Sequence, residues 1–227
     1  MPGYIFEAGI APFSGFPVKG IIWYQGESNA ENPKLYEAIF PELVGSWRQF
    51  WNKPALPFIF AQLSSIQRPG WELFRDMQRR LAGNISGTSM VVTSDFGDSL
   101  NVHPVRKIEI GHRFALQALR KVYNKSAVAD GPLPEKAENR GDSIMEITFH
   151  KDQHLKTSDS KPLRELEIAG NDSFFHPVTG DLKDNKIVVK TNHLKIKQAR
   201  YAWKPYTRGN LINMDGLPAS TFRIIVK

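Results

Sequence analysis

Hydrophobic and polar positions follow two different patterns along this chain, and the change between them comes at about residue 124. Before it, short unbroken apolar runs alternate with longer segments in which apolar residues recur every three or four positions. The unbroken runs predict strands buried on both faces, and they lie at about 18–24, 56–63 and 90–95. The periodic segments predict helices, and they lie at about 33–53, 71–83 and 105–122. Three strands that are each followed by a helix predict an α/β sheet with parallel pairing.

The spacing within two of these helices predicts which side chains face the sheet. Asn32 and Pro33 form a typical helix start. The apolar stripe of the helix that follows has a spacing of four and consists of Leu35, Ile39, Leu43 and Trp47, widened by Phe40, Val44 and Phe50. In the helix at 105–122, the predicted inward residues are Ile108, Ala115, Leu116 and Leu119. Ahead of the first strand, Pro12 and Pro17 argue against a helix at 11–17.

Beyond residue 124 the chain consists of short strand-like pieces separated by turn signals. A turn-rich linker at 130–134 comes first, and the pieces after it lie at 143–150, 163–169, 186–190, 195–203 and 221–226. Strand-like pieces of this length, separated by turn signals, are typical of a small antiparallel β domain or sandwich. The sequence therefore predicts two domains, an α/β domain over residues 1–124 and a β-rich domain over residues 125–227.

Composition and charge narrow the class of protein. With 227 residues, 41% of them hydrophobic and 23% charged, the chain has the make-up of a globular protein with room for a sizeable core. The absence of cysteine rules out disulfides and thiol chemistry. The net charge of +7 is spread over both halves without a block of like charges, so we expect no nucleic-acid partner. No apolar run reaches about 18 residues and no signal-peptide pattern opens the chain, so we expect no membrane partner.

The first stretch that suits catalysis comes where the first predicted strand ends. Five polar or flexible residues follow that strand at once: Gln25, Gly26, Glu27, Ser28 and Asn29. In open α/β sheets, ligands bind at the carboxyl ends of the strands, where such a turn lies. From the residues alone, a helix N-cap formed by Ser28 or Asn29 explains the stretch equally well.

The second stretch follows the third predicted strand and places a histidine ahead of a helix. His103 stands directly before Pro104, which restricts the local backbone, and two carboxylates precede it, Asp95 and Asp98. A histidine on such a loop suits a general base, and either carboxylate can hold its imidazole in one tautomer if the loop folds back. A histidine that caps the helix or is merely exposed is the alternative. The histidines beyond residue 124 have no metal-ligand spacing, so we expect no metal site.

Both stretches resemble blocks of a single family. The seven residues Trp-Tyr-Gln-Gly-Glu-Ser-Asn at 23–29 closely resemble a block of the sialate O-acetylesterases, which are carbohydrate acetylesterases of the SGNH hydrolase superfamily. The pattern Asp-x-Gly-Asp…His-Pro at 95–104, followed by Lys107 and by Gly-His-Arg at 111–113, resembles the histidine block of the same family. Residues 211–220 resemble the end of the family's sequence, so the resemblance runs from about Ile10 to the end of the chain.

The resemblance implies a fold and a reaction. The implied fold is part of a flavodoxin-like, three-layer α/β domain with a parallel sheet, followed by a small antiparallel β domain. The implied enzyme is a serine-type carboxylic ester hydrolase that removes acetyl groups from sugars or glycans and uses no cofactor. Intact members of the family are commonly secreted, periplasmic or lysosomal.

The resemblance also implies roles for the site residues. By analogy His103 is the general base and Asp98 is the acid that orients it. Many SGNH hydrolases place this acid three residues before the histidine, where the chain has Leu100, so Asp95 stays open as an alternative. Gln25 would donate its amide to the oxyanion, with Gly26 allowing close backbone approach. Two further residues would brace this loop: Glu27 and Asn29.

One part of the family's machinery has no counterpart in the sequence. The family's nucleophile is a serine in a Gly-Gln-Ser-Asn block upstream of the Gln-Gly-Glu block, and the chain has no such block. Ser14 and Ser28 lack its neighbours, so we expect neither to replace it. We therefore expect the chain to be the C-terminal part of such an esterase, with the serine supplied by an upstream segment. The alternative is a non-catalytic carbohydrate-binding or interaction module derived from one.

A sheet of only three strands also predicts a partner. One edge and one apolar face of the sheet would be left uncovered, and such surfaces favour association. We expect them to pair with the missing N-terminal half or with another copy of the chain.

Overall fold

The computed structural model describes residues 3–150 and 153–227, and its first half has the predicted alternation of strands and helices. The elements in chain order are α1 Tyr4–Gly9, β1 Ile21–Trp23, α2 Pro33–Phe50, β2 Phe58–Ala61, α3 Trp71–Asn84, β3 Thr88–Val91 and α4 Lys107–Lys121. The three strands pair in parallel in the order β1-β2-β3. The predicted α/β class and parallel pairing are confirmed.

Alternate residues of the sheet pack against helices on opposite faces. Phe58 and Phe60 are fully buried in the core that α2 and α3 share with the sheet. Ile59 and Ala61, which point the other way, pack with Ile110 and other apolar residues of α4. The first half is therefore a three-layer arrangement, with α2 and α3 on one face and α4 on the other. No helix in the described part of the chain has the length and apolar composition needed to cross a membrane.

The inward face predicted for α2 is partly wrong. The side chains buried from this helix are Tyr36, Phe40 and Val44, whereas Leu35 and Ile39 remain 50% and 43% exposed. Tyr36 and Phe40 stack on each other, and their ring centres lie 4.8 Å from that of Phe74 and 4.9 Å from that of Phe60, respectively. Packing among these aromatic rings sets the rotation of the helix and leaves the aliphatic row beside it uncovered.

The inward face predicted for α4 is wrong for a different reason. Ile108, Ala115 and Leu119 are exposed and Leu116 is only partly buried. The buried residues are Ile110, Arg113, Phe114 and Gln117. Two of these are polar, and both have hydrogen-bond partners where they are buried. Arg113 is paired with Asp95, and Gln117 donates to the carbonyl of Ala129. Counting only apolar residues therefore selects the wrong face.

The lead-in segment has no α-helix at 11–17, as its prolines predict, but it contains a 3₁₀ turn there and a short helix, α1, ahead of it. α1 ends before Pro12, and a 3₁₀ turn at Ala11–Phe13 carries this proline in its first turn, where its missing N–H is not needed. Phe6 of α1 packs against the rings of Trp47 and Phe50 on α2. The lead-in is thus held on the outer surface of α2.

In the second half, the strands of the described residues pair antiparallel. Its strands are β4 Pro134–Arg140, β5 Ile144–Phe149, β6 Leu155–Thr157, β7 Leu166–Ala169, β8 Phe175–Val178, β9 Asp181–Lys183, β10 Lys186–Lys190, β11 Gln198–Tyr201, β12 Leu211–Asn213 and β13 Phe222–Ile225. They form sheets of order β4-β5-β10-β9, β13-β11-β7-β8 and β12-β6. The buried core of this half contains only residues from Ala137 onward. Separate cores support the proposal of two domains at 1–124 and 125–227.

A fully buried arginine joins the two halves. Arg75 on α3 has no exposed surface. Its guanidinium donates to one hydroxyl and three carbonyl oxygens of the second half, those of Thr221, Ala202, Lys204 and Pro205. Burial lowers the pKa of Arg75 to about 10, so the group stays charged at neutral pH. Gln62, after β2, adds a second buried link through its hydrogen bond to the hydroxyl of Ser220 (2.6 Å).

Candidate functional site

The turn after β1 has a backbone that only glycine fits. Gly26 has φ +149°, and it precedes a 3₁₀ turn at Glu27–Asn29. A Cβ at this position would lie 3.0 Å from a ring carbon of Phe74 and 3.3 Å from a methyl carbon of Leu63. The turn is therefore pressed against α3 and against the end of β2, which fixes its place at the carboxyl edge of the sheet.

Gln25 and Asn29 form an amide pair within this turn. The Gln25 side-chain nitrogen donates to the Asn29 side-chain oxygen across 2.5 Å. Because a glutamine amide nitrogen carries two hydrogens, one donor of Gln25 is used and one remains. Both side chains lie in a groove of about 520 Å³ that also contains Trp23, Tyr36 and Ile39.

Asp95 is committed to α4 rather than to the histidine. It lies in a 3₁₀ turn at Ser94–Phe96 after β3 and forms a two-point ion pair with Arg113, with N–O distances of 2.7 and 2.6 Å. The Arg113 guanidinium also lies 4.1 Å from the ring centre of Phe96. The ion pair therefore attaches the turn before the His103 loop to α4, and the role of Asp95 is to anchor that turn.

Gly97 and Ser65 pack the histidine loop, the segment at 97–104 that carries His103, against the loop after β2. A Cβ on Gly97 would overlap the backbone of Ser65, so no larger residue fits there. The Ser65 hydroxyl donates to the Ser94 carbonyl (2.6 Å), and the Gln67 amide donates to the Ser99 carbonyl (3.1 Å). Glycine is thus required by close approach of two backbones.

Asp98 and Asn101 shape the loop immediately before the histidine. One carboxylate oxygen of Asp98 accepts the backbone N–H groups of Leu100 (2.8 Å) and Asn101 (2.9 Å), and these bonds hold the pKa of Asp98 below its usual value. The Asn101 side chain in turn accepts the backbone N–H of His103 (2.9 Å). The His103 ring is exposed and has no hydrogen-bond partner among residues 3–150 and 153–227. The structure therefore does not bring the Asp98 carboxylate and the imidazole together.

An open cleft of about 750 Å³ brings the two sequence stretches together. The turn after β1 and the histidine loop line it jointly, and its residues are Tyr24, Glu27, Ser28, Glu31, Arg68, Val102, His103, Pro104 and Lys107. The Lys107 ammonium lies 4.6 Å from the centre of the Tyr24 ring, which joins the two stretches directly. Burial and the nearby Glu27 carboxylate raise the pKa of Tyr24 to about 12, so its phenol is neutral. His103 and Glu27 share this cleft, whereas Gln25 and Asn29 occupy the neighbouring groove.

Two residues of the cleft were missed by sequence reasoning. Arg68 comes from the loop after β2, and Glu31 comes from the segment before α2. Neither belongs to a recognisable motif, and both reach the cleft only because the strand ends converge. Lys107 was noted as part of the histidine block, but its contact with Tyr24 depends on the same convergence.

Comparisons with known proteins point in one direction. Residues 8–120 match the family model described as carbohydrate esterase, sialic acid-specific acetylesterase. The chain is 30% identical to the mouse sialate O-acetylesterase over 69% of its own length, and 26% identical to the human one over 88%. The crystal structure of a carbohydrate acetylesterase from Xanthomonas citri superimposes with a TM-score of 0.87 at 31% identity and covers 94% of the chain.

These matches cover only part of the relatives. They span 34% of the mouse protein, 43% of the human protein and 52% of the Xanthomonas citri chain. The chain thus spans about a third to about half of the length of these relatives.

Proposed function

Because the chain belongs to the carbohydrate esterases of the sialic acid-specific acetylesterase family, we propose that it forms the histidine-bearing part of a serine-type carbohydrate O-acetylesterase. The observation that carries the proposal is the cleft shared by His103 and the turn after β1. The two blocks are far apart in sequence, and the fold brings them to one edge of the sheet, where α/β enzymes bind their ligands. An acetylated sugar is the proposed substrate.

The proposed reaction is acyl transfer with a nucleophile from outside the chain. The serine hydroxyl attacks the acetyl carbonyl carbon while His103 takes its proton, and the sugar leaves with that proton returned to its oxygen. The backbone beside Gly26 stabilises the oxyanion together with the free N–H of the Gln25 amide, which has to turn from its groove toward the cleft of His103 to do so. Glu27 and Asn29 brace the turn. Water, deprotonated by His103, then attacks the acyl-serine and releases acetate.

The proposal that a partner segment supplies this serine is supported by the uncovered edge of the sheet. β1 is an edge strand, and Ile22 on it is 61% exposed, although its register partner Ile59 is 2% exposed beneath α4. A strand added in parallel beside β1 would cover Ile22 and end at the same edge of the sheet as Gln25. We propose that this strand belongs to an upstream segment carrying Gly-Gln-Ser-Asn.

Hydrolysis of 4-nitrophenyl acetate tests this proposal. We compare the chain alone with an extended form, in which the proposed upstream segment that contains Gly-Gln-Ser-Asn is joined to its N-terminus. The extended form should exceed the chain alone by at least about 10³-fold, because loss of the serine from a serine–histidine unit removes most of the rate. A chain that is fully active alone would refute the proposed source of the nucleophile. If both forms are inactive but bind sugars, the non-catalytic module is the better account.

Two substitutions at Asp98 separate its structural role from its proposed role as the acid. In the extended form, Asp98→Ala removes the acceptor for two backbone N–H groups, whereas Asp98→Asn keeps an acceptor oxygen and removes only the charge. If Asp98 orients His103, both variants should lose up to about 10⁴-fold in kcat, as the orienting acid of a Ser-His-Asp triad does. Activity retained in Asp98→Asn and lost in Asp98→Ala would show that Asp98 shapes the loop only.

A further inference from the structure

A patch of two arginines and two aromatic rings lies on the outer face of the sheet β13-β11-β7-β8. In the antiparallel register, Arg223 lies opposite Arg200, and Arg200 lies opposite Glu167. Their neighbours along each strand, including Phe222 and Tyr201, point into the core. Because side chains alternate between the two faces of a strand, the arginines share the face turned away from that core.

The two arginines have one carboxylate between them. Arg200 donates to Glu167 across 2.6 Å, and its guanidinium lies 3.9 Å from the ring centre of Phe175 and 5.9 Å from that of Trp203. The Arg223 guanidinium lies 5.3 Å from the same Phe175 ring and donates to the side-chain oxygen of Gln198 (2.7 Å). Within the described ranges, Arg223 has no carboxylate at ion-pair distance.

Sheet stability alone does not account for this arrangement. Like charges directly opposite each other on neighbouring strands destabilise a sheet. The contacts with Phe175 offset part of the repulsion, but they leave one positive charge uncompensated on a solvent-facing surface. A bound anion would complete the pairing, and guanidinium groups favour planar anions that accept two parallel hydrogen bonds.

We propose that this patch binds a carboxylated polysaccharide. The sugar carboxylate would pair with Arg223 and with the outer edge of Arg200, while the sugar ring would pack beside Phe175 and the partly buried Trp203. Aromatic side chains next to a charged group suit a ligand that is apolar on the ring face and anionic at one substituent. The patch lies on the β-rich half, outside the cleft that contains His103, and it does not depend on the proposed esterase activity.

Affinity electrophoresis and calorimetry with the intact chain test the proposal. The probes are polygalacturonate and its fully methyl-esterified form, which has the same backbone without the charge. We expect binding to the first and not to the second. Arg223→Gln should weaken binding about tenfold, the usual size of one charge-assisted contact. Lys34→Gln removes the same charge from an exposed site on α2 and should leave the affinity unchanged.

Additional outcomes would overturn the proposal. Equal binding to the methyl-esterified polymer would show that the carboxylate plays no part. Equal binding to dextran sulfate or polyglutamate, weakened equally by Arg223→Gln and Lys34→Gln, would show general attraction to polyanions instead of a site. Phe175→Leu keeps the residue apolar but removes the ring, so unchanged affinity in this variant would also contradict the proposal. Circular dichroism of each variant confirms that the sheet is intact.

Discussion

Replacing His103 by alanine in the extended form should lower kcat by about 10²–10⁴-fold, the range that a general base contributes. The imidazole is exposed and without hydrogen bonds among the residues described, so its loss should leave folding intact. The change should fall on kcat more than on KM, because proton transfer occurs in the transition state and not in substrate binding. Steady-state hydrolysis of 4-nitrophenyl acetate measures both constants.

His112→Ala is the matched control for this prediction. His112 is an exposed histidine on α4, outside the cleft, so its replacement should leave kcat near the parent value. Added free imidazole should restore part of the activity of His103→Ala, since it can occupy the vacated space in an open cleft. If His103→Ala and His112→Ala behave alike, the histidine loop does not carry the base, and the proposed mechanism fails.

The order and type of elements in the first half were predictable because local patterns and tertiary packing agree there. β2 is a short apolar run that is buried throughout, whereas β3 at Thr88–Val91 begins before the predicted run at 90–95 and β1 leaves Ile22 61% exposed. Asn32 caps α2 as its sequence indicates, accepting the N–H of Leu35. The helix faces were less predictable because buried polar residues with partners are invisible to an apolar pattern. Arg113 and Gln117 are the clearest examples, since both are inward and both are satisfied by groups distant in sequence.

The β-rich half was predicted in class but not in detail. The central strands at 144–149, 166–169, 186–190, 198–201 and 222–225 lie within predicted pieces. β4 was missed because its sequence, Pro-Glu-Lys-Ala-Glu-Asn-Arg, is mostly charged and buries only Ala137 fully. The other missed strands, β6, β8, β9 and β12, have three or four residues and carry polar residues or a proline, so tertiary pairing selects them rather than an apolar run.

For the candidate site, the sequence identified residues but not their geometry. Motifs identified His103 and the turn at Gln25, and the structure brings their loops to one edge of the sheet. The motifs gave no indication that Asp98 is occupied by backbone N–H groups, or that Gln25 faces a different groove from His103. Both facts depend on loop geometry, which short sequence blocks do not encode.

Arg75→Met should lower the free energy of unfolding by about 3–5 kcal/mol, the largest stability effect that we expect from a single substitution. Methionine is similar in length but donates no hydrogen bonds, so buried carbonyl oxygens of the second half would lose their partner. Because these bonds cross between the halves, the variant should also lose cooperativity, with separate unfolding transitions for the two cores. Urea unfolding followed by tryptophan fluorescence and by circular dichroism measures both effects.

Arg79→Met tests whether the effect belongs to the buried interface. Arg79 lies one turn further along α3, and it pairs with Asp76 of the same helix. The side chain also lines a cavity between the halves, but its hydrogen bond stays within α3, so the loss should be smaller than that of Arg75→Met. Arg75→Lys keeps the charge but cannot serve four acceptors at once, and it should fall between the two methionine variants. If Arg75→Met matches Arg79→Met, or if its two transitions still coincide, then apolar contacts hold the halves together and the arginine does not. A chain whose halves separate in Arg75→Met would instead show that one guanidinium couples the β-rich half to the helix that packs against the turn at Gly26.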